Sequence, residues 1–528
     1  MNEGSRRHPA PPVASGPGNV GTFALVLHSH LPWLAHHGRW PVGEEWLYQA
    51  WAASYLPVVR VLEGLAAEGY RDLATVGVTP VLADQLDDPY CLAGFGAWLA
   101  DWRLRAEYLA QRDDEHGRGI ASVEFRAASA ALEEAATGWR HGGTPRWRGL
   151  ADSGVIELLG GPATHPVLPL LDPRVARMAL EVGLDETQAR FGREPAGIWA
   201  PECGWSPGME ELYASTGVTH LVMEQDTIER AGRQTSSAHR LEGTDVVAFG
   251  RDLPITNRIW SSRTGYPAGL DYRDFHAVDP ETGLRLWRVT GECVLKAPYD
   301  PIAAQAAVQR DAIDFADAVR RRLLDLAERD GRPGLVVAAY DTELFGHWWH
   351  EGPAFLDRLF RLLPLAGVQV TTLRGAIERG AVAGPTVLPP AGTWGAGKDF
   401  RLWGGDRVAA LVADGTAVQK RLLAVLDGEH SAGRLTRRRP DLDQLVRESL
   451  LHLSGDWAFM ISRDQASDYA WRRAIGHRDS VHWIADALGH GGPAAASAAA
   501  REVARGGAPF ARLDARALPV SAELGWRP

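Results

Sequence analysis

The sequence predicts an α/β protein, a parallel sheet wrapped by helices and followed by an all-helical C-terminal part. Three observations point to it. Short apolar runs that end in polar residues recur, helical segments lie between many of them, and past residue 400 only helical periodicity remains. The runs are FALVL (23–27), LATVGV (73–78), VIELLG (155–160), GIWA (197–200), THLVM (219–223), VVAF (246–249), LVVAAY (335–340) and VQVTT (368–372). Several are apolar on both faces, as strands covered by helices are. Helical stretches such as 173–191 and 303–329 supply the crossovers. The order implies a parallel sheet, either open and doubly wound or closed into a barrel. In a barrel the chemistry gathers at the C-terminal strand ends, and here those ends carry His28, His30, Thr79, Glu202, Glu224, Asp252 and Asp341, which favours closure. Residues of about 85–150 are charged, tryptophan-containing and helical, an insertion beside the barrel mouth.

After the Pro/Gly-rich stretch AVAGPTVLPPAGTWGAG, three segments (406–428, 441–453 and 469–488) place apolar residues at three-four spacing. The expected division is a tail over 1–21, a catalytic barrel over 22–390 and a helical domain over 391–528. The Ala/Gly-rich end forms one more helix in a loose tail.

A chain of 528 residues can bury a large core without covalent staples. Its three cysteines, Cys91, Cys203 and Cys293, lie far apart and form no CxxC pair, which argues against disulfides or a thiolate zinc site and fits a reducing cytoplasm. The polar N-terminal tail has no apolar core for export, and no run is long enough to span a bilayer. A net charge of -10 without a basic block excludes the usual nucleic-acid footprint and suits a neutral substrate. Tryptophan is the outlier, with 20 residues against 13 Phe and 5 Met. Indole faces stack on sugar rings, although core packing and GC-rich codon usage account for the excess equally well.

Three constellations carry chemistry. In GIWAPECGW (197–205) a buried strand runs through a proline into Glu202, flanked by Trp199 and Trp205. In LVVAAYDTELFGHWWHEG (335–352) Asp341 is the first polar residue after the strand, followed by Glu343, His347, Trp348, Trp349, His350 and Glu351. Two strand-end acids meet the demand of glycoside cleavage, with carboxyl groups ~5 Å apart for retention or ~6.5–9.5 Å for inversion. The third is HSH (28–30) with THP (164–166): His28 and His30, two apart on a strand, share a face. They read either as ligands of a hydrolytic zinc with Asp341 or as neutral donors to sugar hydroxyls.

In their order and wording, HSHLPW (28–33) with GRWPVGEEW (38–46), GGPATHPVLPLL (160–171), WAPECGW (199–205), YDTELFGHWWHEG (340–352) and SGDWAFMIS (454–462) resemble glycoside hydrolase family 57, within it the 1,4-α-glucan branching group that ends in a DUF1957-type helical domain. The resemblance spans Phe23 to about Trp471 and implies an incomplete (β/α)7 barrel closed by C-terminal helices. It implies Glu202 as nucleophile and Asp341 as general acid/base. It also implies His28 and His165 around the cleaved bond, with His30 beside them by its shared strand face, Trp46, Trp260, Trp394 and Trp403 as glucan-lining aromatics, and Asp456 reaching the cleft from the helical domain. No metal or cofactor is implied. The implied partner is an α-1,4-glucan, the implied state a monomer or small homo-oligomer, and hydrolysis or 4-α-glucanotransfer the neighbouring activities. A zinc-dependent deacetylase and a silent glycan binder are the readings from other classes. One departure stands out. Branching members carry a tyrosine on a loop over the cleft, and the corresponding stretch 228–245 has none.

Overall fold

The computed structural model describes residues 18–112, 115–291 and 295–517. Seven strands build a barrel: β1 (Gly21–Ser29), β2 (Ala74–Val78), β3 (Ile156–Leu159), β4 (Gly197–Ile198), β5 (His220–Met223), β6 (Val247–Gly250) and β7 (Gly334–Asp341). β7, β1, β2 and β3 pair in parallel, as do β4, β5 and β6. A bridge between Gly160 and Ile198 joins the two sets. The other side closes on little more than the Asp252 amide donating to the Val337 carbonyl (2.8 Å), so the ring is incomplete between β6 and β7.

All eight apolar runs form strands, and the eighth, Val368–Thr371, lies outside the ring against the start of β1. Sequence reading missed the Ala238–Leu241 strand, which pairs antiparallel with β6, and its partner Val382–Val387. Neither has a continuous apolar run, since His239 and Arg240 interrupt one and Gly384–Pro385 the other. This corrects the reading of 228–245. Part of the stretch is strand, and it runs away from the cleft. Ser236 accepts from the Leu335 amide at the start of β7 (3.0 Å), and its hydroxyl bonds Asp330 (2.6 Å). At about 3.3 Å per strand residue, Ser236 lies roughly 20 Å from Asp341, while Ile228 and Thr235 pack on Gly250 at the end of β6.

Strand alternation sorts the barrel interior. Ala24 and Val26 of β1, Val222 of β5, Phe249 of β6 and Val337 and Ala339 of β7 form an inner core, while Phe23, Leu25 and Leu27 pack outward against helices. Two residues further along the same inward face stand His28, Glu224, Arg251 and Asp341.

Two helices, α1 (Pro89–Ala110, capped by the Asp88 carboxylate) and α2 (Glu115–Ala136), occupy the stretch read as an insertion. α3 (Pro301–Asp330) backs β1 and β7. The C-terminal region comprises α4 (Ala409–Ser431), α5 (Pro440–His452), α6 (Gly455–Arg463) and α7 (Ser467–Val503). α5 is buried all round, as a helix enclosed by others must be. α7 breaks at Gly492, ahead of Pro493, and the Ala-rich end runs on as helix. That end is not loose. Phe510 is buried, its amide bonds Asp84 (2.5 Å), and the Arg512 amide bonds Glu186 (3.0 Å). Cys91 and Cys203 are buried free thiols, while Cys293 and residues 1–17 lie outside the described residues. No helix among the described residues is long and apolar enough to cross a membrane.

The helix Pro173–Phe191 presses Gly183 onto the loop that leads to His165, so closely that a Cβ there would sit 2.0 Å from the Gly161 carbonyl oxygen. Gly183→Ala is therefore expected to destabilise the protein by about 1–3 kcal/mol, read as a lowered urea midpoint. As the control, Gly64→Ala, inside an exposed helix turn with nothing within 4 Å of its Cβ, is expected to raise the midpoint, stabilising the protein by about 0.5–1 kcal/mol.

Candidate active site

β1 and β7 pair with His28 opposite Asp341, so both side chains leave the barrel core at the same level. Glu202 arrives differently. The chain leaves β4 at Trp199 and turns at Pro201, where Glu202 and Cys203 both take left-handed backbone conformations (φ 59° and 50°). Such residues cost about 1–3 kcal/mol each and persist only where the surroundings hold them. The hold is visible. The Glu202 carbonyl accepts from the Trp394 amide (2.9 Å), and Trp205 and Gly392 exchange a pair of backbone bonds (2.9 and 3.0 Å). The Trp394 indole then donates to Glu202 Oε2 (2.6 Å), while Oε1 faces His165 Nε2 at 3.7 Å. His165 is itself left-handed (φ 60°).

Burial pushes the Asp341 carboxyl well above the usual range, the charges of Glu343 and Glu202 add to the shift, and Arg251 opposes it. Glu343 is pushed up to about 7 by burial, against hydrogen bonds from the Tyr55 hydroxyl and the His30 amide. One face of the cleft is thus a carboxyl that keeps its proton. The other is Glu202, oriented by an indole N–H.

Trp199, His28, His165 and His30 stack in sequence, with ring centroids 4.7, 4.8 and 4.0 Å apart. Burial holds His28 and His165 below the ordinary histidine range, reinforced by the mutual proximity of the imidazoles, so both are neutral donor-acceptors. Rings stacked face to face do not converge their nitrogens on one point, which disfavours the zinc reading. His30 instead spans the cleft wall. Its Nδ1 meets the Thr79 hydroxyl (2.9 Å), and its Nε2 donates to Asp456 at the start of α6 (3.0 Å to each oxygen). Burial works to raise Asp456, but the charge and hydrogen bond of His30 outweigh it and keep the carboxylate below its ordinary value.

These groups open into a cleft of about 1340 Å3. It contains Glu202, Asp341, His28, His30, His165, Asp456 and the aromatics Trp46, Trp260 and Trp394, which the sequence had nominated separately. Trp403 is the exception. At 3% exposure it does not line the cleft, and it packs one layer behind, against Phe459 and Gly395. Sequence reading also missed contributors. Trp40 (76% exposed), Trp348, Phe459 and Met460 line the walls; Trp40 sits inside the quoted GRWPVGEEW, where an indole beside a proline was the available signal. Two strand-end acids serve other purposes. Asp252 caps the helix Leu253–Trp260 and pairs with Arg322 (2.9 Å). Glu224, fully buried, pairs with Arg251 (2.6 Å), whose guanidinium lies 5.0 Å from the Trp394 ring centre and so supports the indole that holds Glu202.

The geometry has counterparts. The family model "Glycosyl hydrolase family 57" matches residues 24–389, and "1,4-alpha-glucan branching enzyme, C-terminal" matches 416–517. A probable 1,4-α-glucan branching enzyme of Mycobacterium tuberculosis is 49% identical over 521 residues, 94% of this chain and 98% of the relative. A 1,4-α-glucan branching enzyme of Thermococcus kodakarensis is 31% identical over 503 residues, 89% of this chain and 74% of its own. The crystal structure of a GH57-type branching enzyme from Pyrococcus horikoshii superposes with a TM-score of 0.86 at 28% identity, covering 96% of this chain and 99% of that one. With a family model spanning the barrel from β1 past β7 and relatives matched nearly end to end, the chain belongs to glycosyl hydrolase family 57.

Proposed function

We propose that this protein is a 1,4-α-glucan branching enzyme, which cleaves an α-1,4 bond with retention and passes the glucan segment to a 6-hydroxyl, creating an α-1,6 branch. The observation that carries the reading is that the region matching the branching-enzyme C-terminal family delivers Asp456 into the cleft that holds Glu202 and Asp341.

A neutral glucan lies along Trp40, Trp46, Trp260 and Trp394, its ring faces on indoles. Asp341, protonated because it is half-buried beside other carboxylates, gives its proton to the departing glycosidic oxygen. Glu202 attacks the anomeric carbon as that bond breaks, forming a glucosyl ester. Asp341, now a carboxylate, takes the proton of the acceptor 6-hydroxyl, and that oxygen displaces Glu202. The neutral histidines His28 and His165 meet sugar hydroxyls without adding charge where positive character develops at the anomeric carbon. Transfer wins over hydrolysis when a bound acceptor keeps water from the ester. That exclusion falls to the aromatic rim and to Phe459 and Met460 of α6.

Incubation with amylose, followed by isoamylase debranching and a count of new reducing ends, is expected to show new α-1,6 branches with few free reducing ends; reducing ends without branches would make the protein a hydrolase. Glu202→Gln is expected to lower turnover by about 10⁴-fold or more and Asp341→Asn by about 10²–10⁴-fold, measured by the same assay.

Asp341 also makes a stability prediction. Its carboxyl binds a proton more tightly in the folded chain than in the unfolded one, so folding loses stability as pH rises above the ordinary aspartate value of 3.8 toward the raised one. Asp341→Asn should therefore unfold at a higher temperature than the parent at pH 8, and the gain should shrink as pH is lowered toward 4.

A further inference from the structure

The HWWHE run after Asp341 is only partly used by the cleft. His347 and Trp348 line it, but His350 and Glu351 do not. They face a second chamber of about 450 Å3, bounded by α1, α2, residues 49–60 and the segment ahead of α3. Gln49, Arg273, Phe275, His347 and Trp348 line both cavities, so the two adjoin.

The chamber carries a cation with no direct ion pair, although Glu124 and Asp274 act on it from further away. Arg273 is neutralised by Glu124 (2.6 Å), which also accepts from the Trp102 indole (2.9 Å). Arg285 has no such partner. Its Nε donates to the Phe275 carbonyl (2.8 Å), its guanidinium lies 4.6 Å from the Phe275 ring centre, and no carboxylate among the described residues stands within 4.0 Å of it. Burial, with Arg273 nearby, pushes it down to about 10, still cationic at neutral pH. A half-buried guanidinium with no directly bonded carboxylate leaves N–H donors free for an incoming anion. Beside it, burial holds His347 at about 3, so it is a neutral hydrogen-bonding group. His347 is 6% exposed and its Nδ1 has no partner.

The rest of the wall does not suit a bare anion. Trp98, Trp102 and Trp348 supply flat apolar faces. Glu351, whose Oε1 takes the Tyr299 hydroxyl (2.7 Å), leaves Oε2 without a partner, an acceptor for a hydroxyl. Burial pushes the Glu351 carboxyl up, which weakens its repulsion of an anion. A small-molecule site commonly measures about 300–1,000 Å3, and this volume exceeds what a single phosphate needs. We infer that the chamber is a binding site for a phosphorylated hexose, its phosphate on Arg285 and its ring against the tryptophans, separate from the glucan cleft. Because His347 and Trp348 line both cavities, occupancy of the chamber bears directly on the cleft.

The test is isothermal titration of the full chain with glucose 6-phosphate, glucose and inorganic phosphate, repeated on Arg285→Met, Arg285→Lys and Glu202→Gln. The expected result is one equivalent of glucose 6-phosphate bound by the parent and by Glu202→Gln, at least about tenfold weaker in Arg285→Met and intermediate in Arg285→Lys, with unfolding temperatures unchanged. Absence of binding, binding indifferent to Arg285→Met, or binding lost only in Glu202→Gln would overturn the site. Glucose or inorganic phosphate binding as tightly as glucose 6-phosphate would overturn the phosphorylated hexose as its ligand. The proposal stands apart from the glucan reading, since titration needs no turnover.

Discussion

The pairing register of β1 with β7 is the constraint on which the site depends. Side chains alternate across a strand, so a slip of one residue would carry His28 or Asp341 from the barrel interior to its helix-covered outside and bring Leu27 or Tyr340 inward in its place. The register is fixed from below by the interior layers, in which small Ala24 and Ala339 share space with Val26, Val337 and Phe249. The core that fills the barrel and the acids above it are thus one continuous column of side chains. Whatever holds the lower layers holds the level of His28 and Asp341.

Above that column the structure accepts local costs. Asp341 is half-buried beside two carboxylates, Glu224 and Arg251 are withdrawn from water as a pair, and His165, Glu202 and Cys203 occupy left-handed backbone conformations. A buried pair contributes little net stability when intact but costs several kcal/mol when one member is lost. The pair therefore works mainly as a fixed platform. Glu224 fixes Arg251, Arg251 supports the Trp394 ring, and Trp394 orients Glu202 through an indole hydrogen bond. The strain at Glu202 is sustained by the same segment, since the Trp394 amide bonds the Glu202 carbonyl.

Much of this was legible in the sequence because it is local. Apolar runs ending in a polar residue located the strands, and the first polar residue after a run located Asp341. His28 and His30 shared a face by spacing alone, as their stacking against His165 bears out. What was not legible is depth. Trp403 carries the same local signal as Trp394, but one meets the cleft and the other Phe459, which is decided by how α6 packs. Asp252 and Glu224 follow strands as Asp341 does, and only the tertiary position of Arg322 and Arg251 turns them into structural partners. The 228–245 stretch fails for a related reason. Its strand, Ala238–Leu241, is set by pairing with 382–387, more than a hundred residues downstream, and no local pattern records that.

The bond between His30 and Asp456 joins the first strand of the barrel to a helix more than 400 residues later. During synthesis, a chain extended only through β7 already possesses both acids of the cleft, yet His30 lacks its anchor and the wall formed by α6 is missing. Completion of the cleft therefore waits for nearly the whole polypeptide. A nascent or prematurely terminated chain carries the two carboxylates without the wall that encloses them.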